Sequence, residues 1–570
     1  MTMSKESPSV RLTQPRDTVF VTLSDGRTFE GPIGTPVEAF THAAMAPSDV
    51  PTIAALINGE LRELSYPLAR DATVEPLPLS SSDGVRIYRR SLAFLMVATV
   101  RELHPDAYVT IDHTVPSGGF FCRVQNRPPF SMDELARVEN RMRELVEANL
   151  SITHEHVPLD DVLIMLTARG EMEKVELLKR RHKDFLSLYN LNGQRDYFHG
   201  YMVPSTGYLQ YFAVQSCDPG FIVQYPRRHR PTEILPLQDS PQLMATFRQY
   251  GEWLRLLGIE SLSDLNHAIE TDRIREIILV SEALHEQRVA QIAQMIAERR
   301  PELRLVLVAG PSAAGKTTFS KRLSIQLLAQ GIHPFPLEMD NYFVDRELTP
   351  CDSDGKYDFE SLDALDVKLF NENLTALMAG EKVQLPKFNF HTGHRESGRI
   401  AQIGPEHVII VEGIHGLNPT LVPSIPAEFT FRIFVSAVTQ LNIDRHNRVP
   451  TTDTRLIRRI VRDATYRGYS AEETLDRWES VRRGEKRHII PYQDRADAMF
   501  NSALVYELSV LKPLAEPLLL QVEPKSPRRV EAKRLLAFLR WFESCAPDLI
   551  PDNSILREFV GGSILSDYTP

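Results

Sequence analysis

The alternation of apolar and polar positions divides the chain into a β-rich front, a helical middle and a back part in which apolar runs alternate with helical spacing. Residues 18–29, TVFVTLSDGRTF, alternate about Asp25-Gly26, the pattern of a β-hairpin with a tight turn. Residues 37–45 predict a short helix, and residues 53–64 and 73–77 predict further strands, so residues 16–78 form a compact β-rich unit. Behind a proline-rich boundary at 231–241, residues 243–257, 261–268 and 272–298 carry helical spacing. In the last of these Ile274, Ile277, Ile278, Leu284, Val289 and Ile292 recur at helical intervals. Apolar runs at 303–308, 333–339, 407–411 and 429–435 then read as buried strands. Residues 527–543 place Leu535, Phe538, Leu539 and Phe542 on one helical side. Asp552-Asn553-Ser554 and Gly561-Gly562 bracket a last short helix, and this tail is expected to pack back on the preceding domain.

A chain of 570 residues is too long for one core. The expected division is 1–15 without structure, 16–78, 79–235, a helical bridge at 236–300, 301–525, and a helical tail at 526–570. With 42% hydrophobic and 25% charged residues and a formal charge of −10, the composition speaks against a mainly electrostatic binder of nucleic acid or membrane. Cys122, Cys217, Cys351 and Cys545 are scattered and lack C-x-x-C spacing, so neither a disulfide framework nor a zinc knuckle is indicated. No run of eighteen apolar residues and no signal peptide is found, and a cytoplasmic location is expected. Oligomeric state is not legible. The run Arg227-Arg228-His229-Arg230 reads as a solvated linker or as an anion-binding patch.

Chemistry concentrates at residues 303–318, LRLVLVAGPSAAGKTT. The apolar run meets G-x-x-x-x-G-K-[ST], so a buried strand turns through a loop into a helix. Gly310, Pro311, Ser312, Ala313, Ala314, Gly315, Lys316, Thr317 and Thr318 then form a phosphate cradle. Backbone N–H groups converge on phosphate oxygens, Lys316 reaches the β and γ oxygens, and the Thr317 hydroxyl can ligate Mg²⁺. In a parallel sheet, chemistry collects at the carboxyl ends of strands, which brings Asp340 and Glu412 towards Lys316 and Thr317. Asp340 is placed to take a proton from a substrate hydroxyl and Glu412 to hold the metal, although acids at strand ends also cap helices. Further on, Arg455, Arg458, Arg459 and Arg462 fall at i, i+3, i+4 and i+7. They predict one basic helix face, with Leu456, Ile460 and Val461 turned the other way. Such a face suits a lid over a transferring phosphoryl group, or a merely solvated surface.

These motifs resemble the uridine kinase and phosphoribulokinase branch of P-loop kinases over about 303–513. The matching stretches are GPSAAGKTT, MDNYF (339–343), YDFESLDALD (357–366), LPKFNF (385–390), VEGIHGL (411–417) and DTRLIRRIVRD (453–463). The resemblance implies an ATP- and Mg²⁺-dependent kinase acting on a nucleoside-like hydroxyl. It makes Asp340, Lys316 and Arg462 catalytic, places Arg459 and Arg467 on ATP, and draws Tyr342, Phe343, Glu360, Phe388, His391 and His394 to the acceptor. Phe388-Asn389 stands where Tyr-Asp is usual, Gly393 where a base-contacting histidine is expected, and Glu360 where an aspartate binds ribose hydroxyls, so reaction type is better marked than substrate.

The front part resembles threonyl-tRNA synthetases. Residues 21–36 (VTLSDGRTFEGPIGTP) and INGEL (57–61) are similar to the β-grasp TGS domain. RRSLAFLMVATVRELHP, GGFFCRV and LTARGEMEKVELL are similar to the α+β editing-type domain. Phe94 and Ala98 stand at the two histidine ligand positions of that domain. Residues 201–207 lack its cysteine and histidine, so the editing chemistry is expected to be lost. His154, His156, His182 and His199 are not expected to replace them. The order of segments resembles bacterial TGS-domain-containing nucleoside kinases, which implies RNA or protein contact through the TGS-like domain. An NTP-binding, RNA- or ribosome-associated regulator is the alternative, weakened in its GTPase form by the lack of N-K-x-D.

Overall fold

The structure is a computed structural model and describes residues 15–44, 50–181, 183–238, 240–352, 355, 357–389, 392–439 and 441–569. Of the expectations above, the unstructured start (apart from residue 15), Met45, His182, Phe390 and His391 lie outside the described residues. The chain forms two compact units, Met1–Val162 with Lys183–Leu237, and Leu163–His182 with Gln238–Pro570. This division is coarser than the six segments read from the sequence. It also assigns 163–182, expected in the second front segment, to the second unit. There Lys174, 1% exposed, pairs with Glu171 at 2.9 Å and lies 3.0 Å from His446 Nδ1, while Arg180 forks onto Glu270. A buried ammonium needs such partners, and they tie the segment down.

In the first unit a five-stranded sheet runs Thr28–Pro32, Thr18–Leu23, Ala72–Pro78, Thr52–Ile57, Glu60–Glu63. Thr18–Leu23 lies parallel to Ala72–Pro78 and antiparallel to Thr28–Pro32. Alternation decides which side is buried: Val19, Val21 and Leu23 join Phe40 of helix Val37–Ala44 in one apolar cluster. The 22-residue helix Ser82–Leu103 follows, capped by Ser81, with Phe94 at 0% and Ala98 at 4% exposure. Around it lie a four-stranded sheet (Ala213–Cys217, Gly220–Gln224, Gly119–Gln125, Tyr108–Thr114) and a three-stranded one (Gln194–Asp196, Phe185–Leu191, Ile152–Pro158). The two positions that carry ligands in the resembling family are core here. His154 and His156 project from Ile152–Pro158 as exposed residues. The Arg227–Arg230 turn is closed by backbone pairing, with Arg228 donating to the Ser80 carbonyl at 3.0 Å and Arg230 paired to Glu233.

The second unit is built on five parallel strands, which we number β1 (Leu305–Ala309), β2 (His333–Glu338), β3 (His407–Glu412), β4 (Thr430–Ser436) and β5 (Ala498–Asn501). Their order is β2-β3-β1-β4-β5. β1 is buried at every position, as a central strand covered on both faces must be. Helices α1 (Lys316–Leu328), α2 (Thr451–Tyr466) and α3 (Ala471–His488) carry the site. β5, α3, the helix Val367–Met378 and the hairpin Val383–Asn389/His394–Ala401 were not expected from the apolar pattern. Among the described residues no helix is long and apolar enough to cross a membrane.

Because Phe94 fills the core of the first unit, Phe94→Ala should lower its stability by about 3–5 kcal/mol, read as an earlier urea midpoint. An unchanged midpoint would show that the ring is not packed as described.

Candidate active site

The site starts from the turn that follows β1. Gly310 is glycine because a Cβ there would stand 2.0 Å from the Val435 carbonyl oxygen of β4. Gly315 caps α1 with φ +82° and offers no side chain to the helix, so the first amides of α1 are left for another acceptor. α2 holds the loop's outer side. Arg455 donates to the Ser312 carbonyl from Nε at 2.9 Å and Nη2 at 2.8 Å, and Arg458 Nη1 donates to the Ala313 carbonyl at 3.4 Å. Both arginines are buried, at 2% and 0% exposure, and each meets a buried carboxylate, Glu485 and Glu507 respectively. Arg455 and Arg458 are therefore not part of an outward basic face. The apolar side chains opposite them, Leu456, Ile460 and Val461, are buried too, so α2 is enclosed on both sides. Burial with one carboxylate apiece makes these two arginines struts of the loop.

The remaining arginines are arranged by one residue that the sequence reading passed over. Asp463, 2% exposed, takes Arg459 at 3.2 Å, Arg462 at 2.8 and 3.0 Å, and lies 3.8 Å from Arg467 Nε. Arg459 also donates to Ser312 Oγ at 2.9 Å. Three guanidinium groups sharing one carboxylate leave surplus positive charge beside the loop.

Asp340 and Glu412 do converge on this charge. Lys316 Nζ lies 3.8 Å from Glu412 Oε1, and Thr317 donates to Glu412 Oε2 at 3.2 Å. Asp340, one residue past β2's neighbour Met339, reaches solvent. The surrounding protein still pushes its carboxyl above the usual range, opposed by the charges of Lys316, Arg467 and Arg462. Burial lifts Glu412 to about 7, with Lys316 countering and Asp340 and Glu558 adding to the rise. Glu360 is likewise lifted to about 7, by burial and by the Glu485 charge. Tyr342 is fully buried, its hydroxyl 3.2 Å from Asn373 Nδ2 and its ring edge-on to Phe370, so it supports Asp340 from the core and does not face an acceptor. Phe388, on the hairpin's first strand, is 7% exposed and packs on Phe343 at 5.6 Å between ring centres, an aromatic floor that joins the hairpin to the segment after β2. His394 is exposed, 3.7 Å from Asp345.

Residues 305–509 match the family model described as Phosphoribulokinase / Uridine kinase family. The matched residues lie wholly within the second unit. The N-terminal part is similar to threonine–tRNA ligases. The similarity is 33% identity over 196 residues with that of Geobacter sp. (strain M21) and 34% over 202 residues with that of Burkholderia lata, each match covering 34% of this chain and 31% of the relative. The chain thus spans about a third of the length of these curated relatives. Among solved structures, a provisionally named fructose transport system kinase from Silicibacter sp. TM1040 is 23% identical, with a TM-score of 0.28, covering 37% of this chain and 98% of that one. A provisionally named uridine kinase from Bacillus stearothermophilus is 21% identical, with a TM-score of 0.27, covering 38% and 98%.

The Thr317 hydroxyl and the Glu412 carboxylate are hard oxygen donors set side by side, with Asp340 close enough to raise Glu412, and this donor set fits Mg²⁺. Without a cation the same crowding has a pH signature. Glu360 holds its proton more tightly folded than unfolded, so its contribution to stability is present below pH 4.5 and is lost as the pH rises through about 7. Glu360→Gln should therefore melt progressively higher than the wild type as the pH is raised from 5 to 8 in metal-free buffer. A constant difference across that range would refute it.

Proposed function

We propose that the second unit is an ATP- and Mg²⁺-dependent kinase that transfers the γ-phosphoryl group to a hydroxyl of a nucleoside or a related small ribose-containing acceptor. The observation that carries this reading is the gathering of Lys316, Glu412, Asp340, Arg462 and Arg467 from separate elements beside one phosphate loop. Mg²⁺, held by Thr317 and Glu412, would screen the charge of the β and γ phosphates. The chain's own groups do the rest. Backbone N–H groups of the phosphate loop and Lys316 bind phosphate, and Asp340 accepts the proton as the acceptor oxygen attacks phosphorus. The bond from γ-phosphorus to the bridging oxygen breaks, and ADP leaves. Arg459, Arg462 and Arg467, fanned by Asp463, balance the charge on the transferring oxygens.

Acceptor recognition falls to Glu360, His394 and the Phe343/Phe388 floor, with His391 assigned by resemblance alone. We read the front segments as a TGS-like module and an editing-derived fold whose metal chemistry is gone, since Phe94 and Ala98 are packed core. RNA or protein contact through that module belongs to this reading.

A panel of nucleosides and sugars with labelled ATP tests the reading. Asp340→Asn should lower acceptor-dependent ADP formation by about 10²–10⁴-fold while ATP binding persists. Turnover that ignores Asp340 and responds only to tRNA or ribosomes would overturn it in favour of the regulator.

A further inference from the structure

Two donors in the first turn of α1 are already taken. The amide and hydroxyl of Thr318 donate to Glu558 Oε2 at 3.2 and 2.9 Å, from a residue 240 positions away. Glu558 lies in the short helix Arg557–Val560, and its neighbours fasten it across the loop. Ile555 is fully buried with Cγ2 2.6 Å from where a Cβ on Gly315 would stand. The Phe559 ring lies under the Arg458 guanidinium at 5.0 Å, and Lys321 Nζ donates to the carbonyls of Leu565 and Ser566 at 2.6 and 2.9 Å. Each of these contacts joins residues 554–566 to the phosphate loop, to its helix or to the arginine that supports it.

A nucleotide in this loop would direct an α- or β-phosphate oxygen at the amides opening α1. A carboxylate and a phosphate oxygen cannot share the same two donors, and their like charges repel. We propose that residues 554–566 form an internal strap in which Glu558 stands in for a nucleotide phosphate, so that nucleotide and strap compete for the N-terminal turn of α1. The proposal rests on the kinase reading above and adds a self-inhibitory contact to it.

The test uses the full chain with Mg·ATP. In the wild type, hydrogen exchange at residues 554–566 should speed up on saturation with ATP. Glu558→Gln and Glu558→Ala should each bind ATP about tenfold more tightly, the size expected when one charge-assisted competitor is removed. If ATP binds the wild type while exchange in 554–566 stays the same or slows, Glu558 is only a cap of α1 and the strap is refuted, with the kinase reading intact. If neither the wild type nor either variant binds ATP, the kinase reading itself falls and takes the strap with it. The wild-type exchange measurement decides even if the variants fold poorly.

Discussion

The site depends on two carbonyl groups held from outside. A loop can turn its N–H groups inward to an anion only if its C=O groups find partners on the other side, and buried carbonyls without partners are costly. Arg455 and Arg458 supply those partners at Ser312 and Ala313. Both guanidinium groups are out of water, so each in turn requires a buried carboxylate, and Glu485 and Glu507 provide it. Glu485 also accepts from the Ser312 amide at 3.2 Å, so both backbone polar groups of Ser312 are fixed by the same ion pair. Ala313, held at φ 57° without being glycine, is a measure of how firmly the surrounding contacts set the loop.

This support explains a division of labour along α2. Positions 455 and 458 are spent on the loop's geometry, while 459, 462 and, past the helix end, 467 remain for charge. Helical spacing places all of 455, 458, 459 and 462 on neighbouring rows, and only the tertiary partners separate them. Glu485 and Glu507 come from elements that show no motif of their own. Asp463 is i+4 from Arg459 and next to Arg462, so one buried carboxylate can space three like charges that would otherwise splay apart.

The phosphate loop, the strands before and after it and the acids at their ends were legible because a buried parallel strand is a continuous apolar run and its carboxyl end is where chemistry sits. The front hairpin was legible for a similar reason: Asp25-Gly26 punctuates a strict alternation, whereas β1 shows the other pattern, unbroken burial. The short β5 gave no such signal, because four residues, AMFN, are too few for periodicity to speak. Tyr342 illustrates a different limit. It sits two residues from Asp340, but on a single 3-10 turn that spacing sends the two side chains apart, one to solvent and one to the core. Glu558 was invisible for the simplest reason, since a contact 240 residues long leaves no trace in local pattern.

Charge balance joins these observations. Asp340, Glu360 and Glu412 lie among Lys316 and the arginines of α2 and the residues just past it, whose charges counter theirs, and Glu558 adds a further acid near Glu412. Carboxylates this close raise one another's proton affinity, so the arrangement is least comfortable when no cation neutralises it and no phosphate draws the arginines in. A site built that way favours binding of a metal and a polyanion together over binding of either alone. On the proposed reading, a metal would relieve the acids and a polyanion would relieve the guanidinium groups that Asp463 alone cannot neutralise. The same logic makes a detachable carboxylate at the mouth of α1 an economical stopper: it satisfies the helix end while the loop is empty, and its own repulsion from Glu412 favours its departure once a better-placed anion arrives.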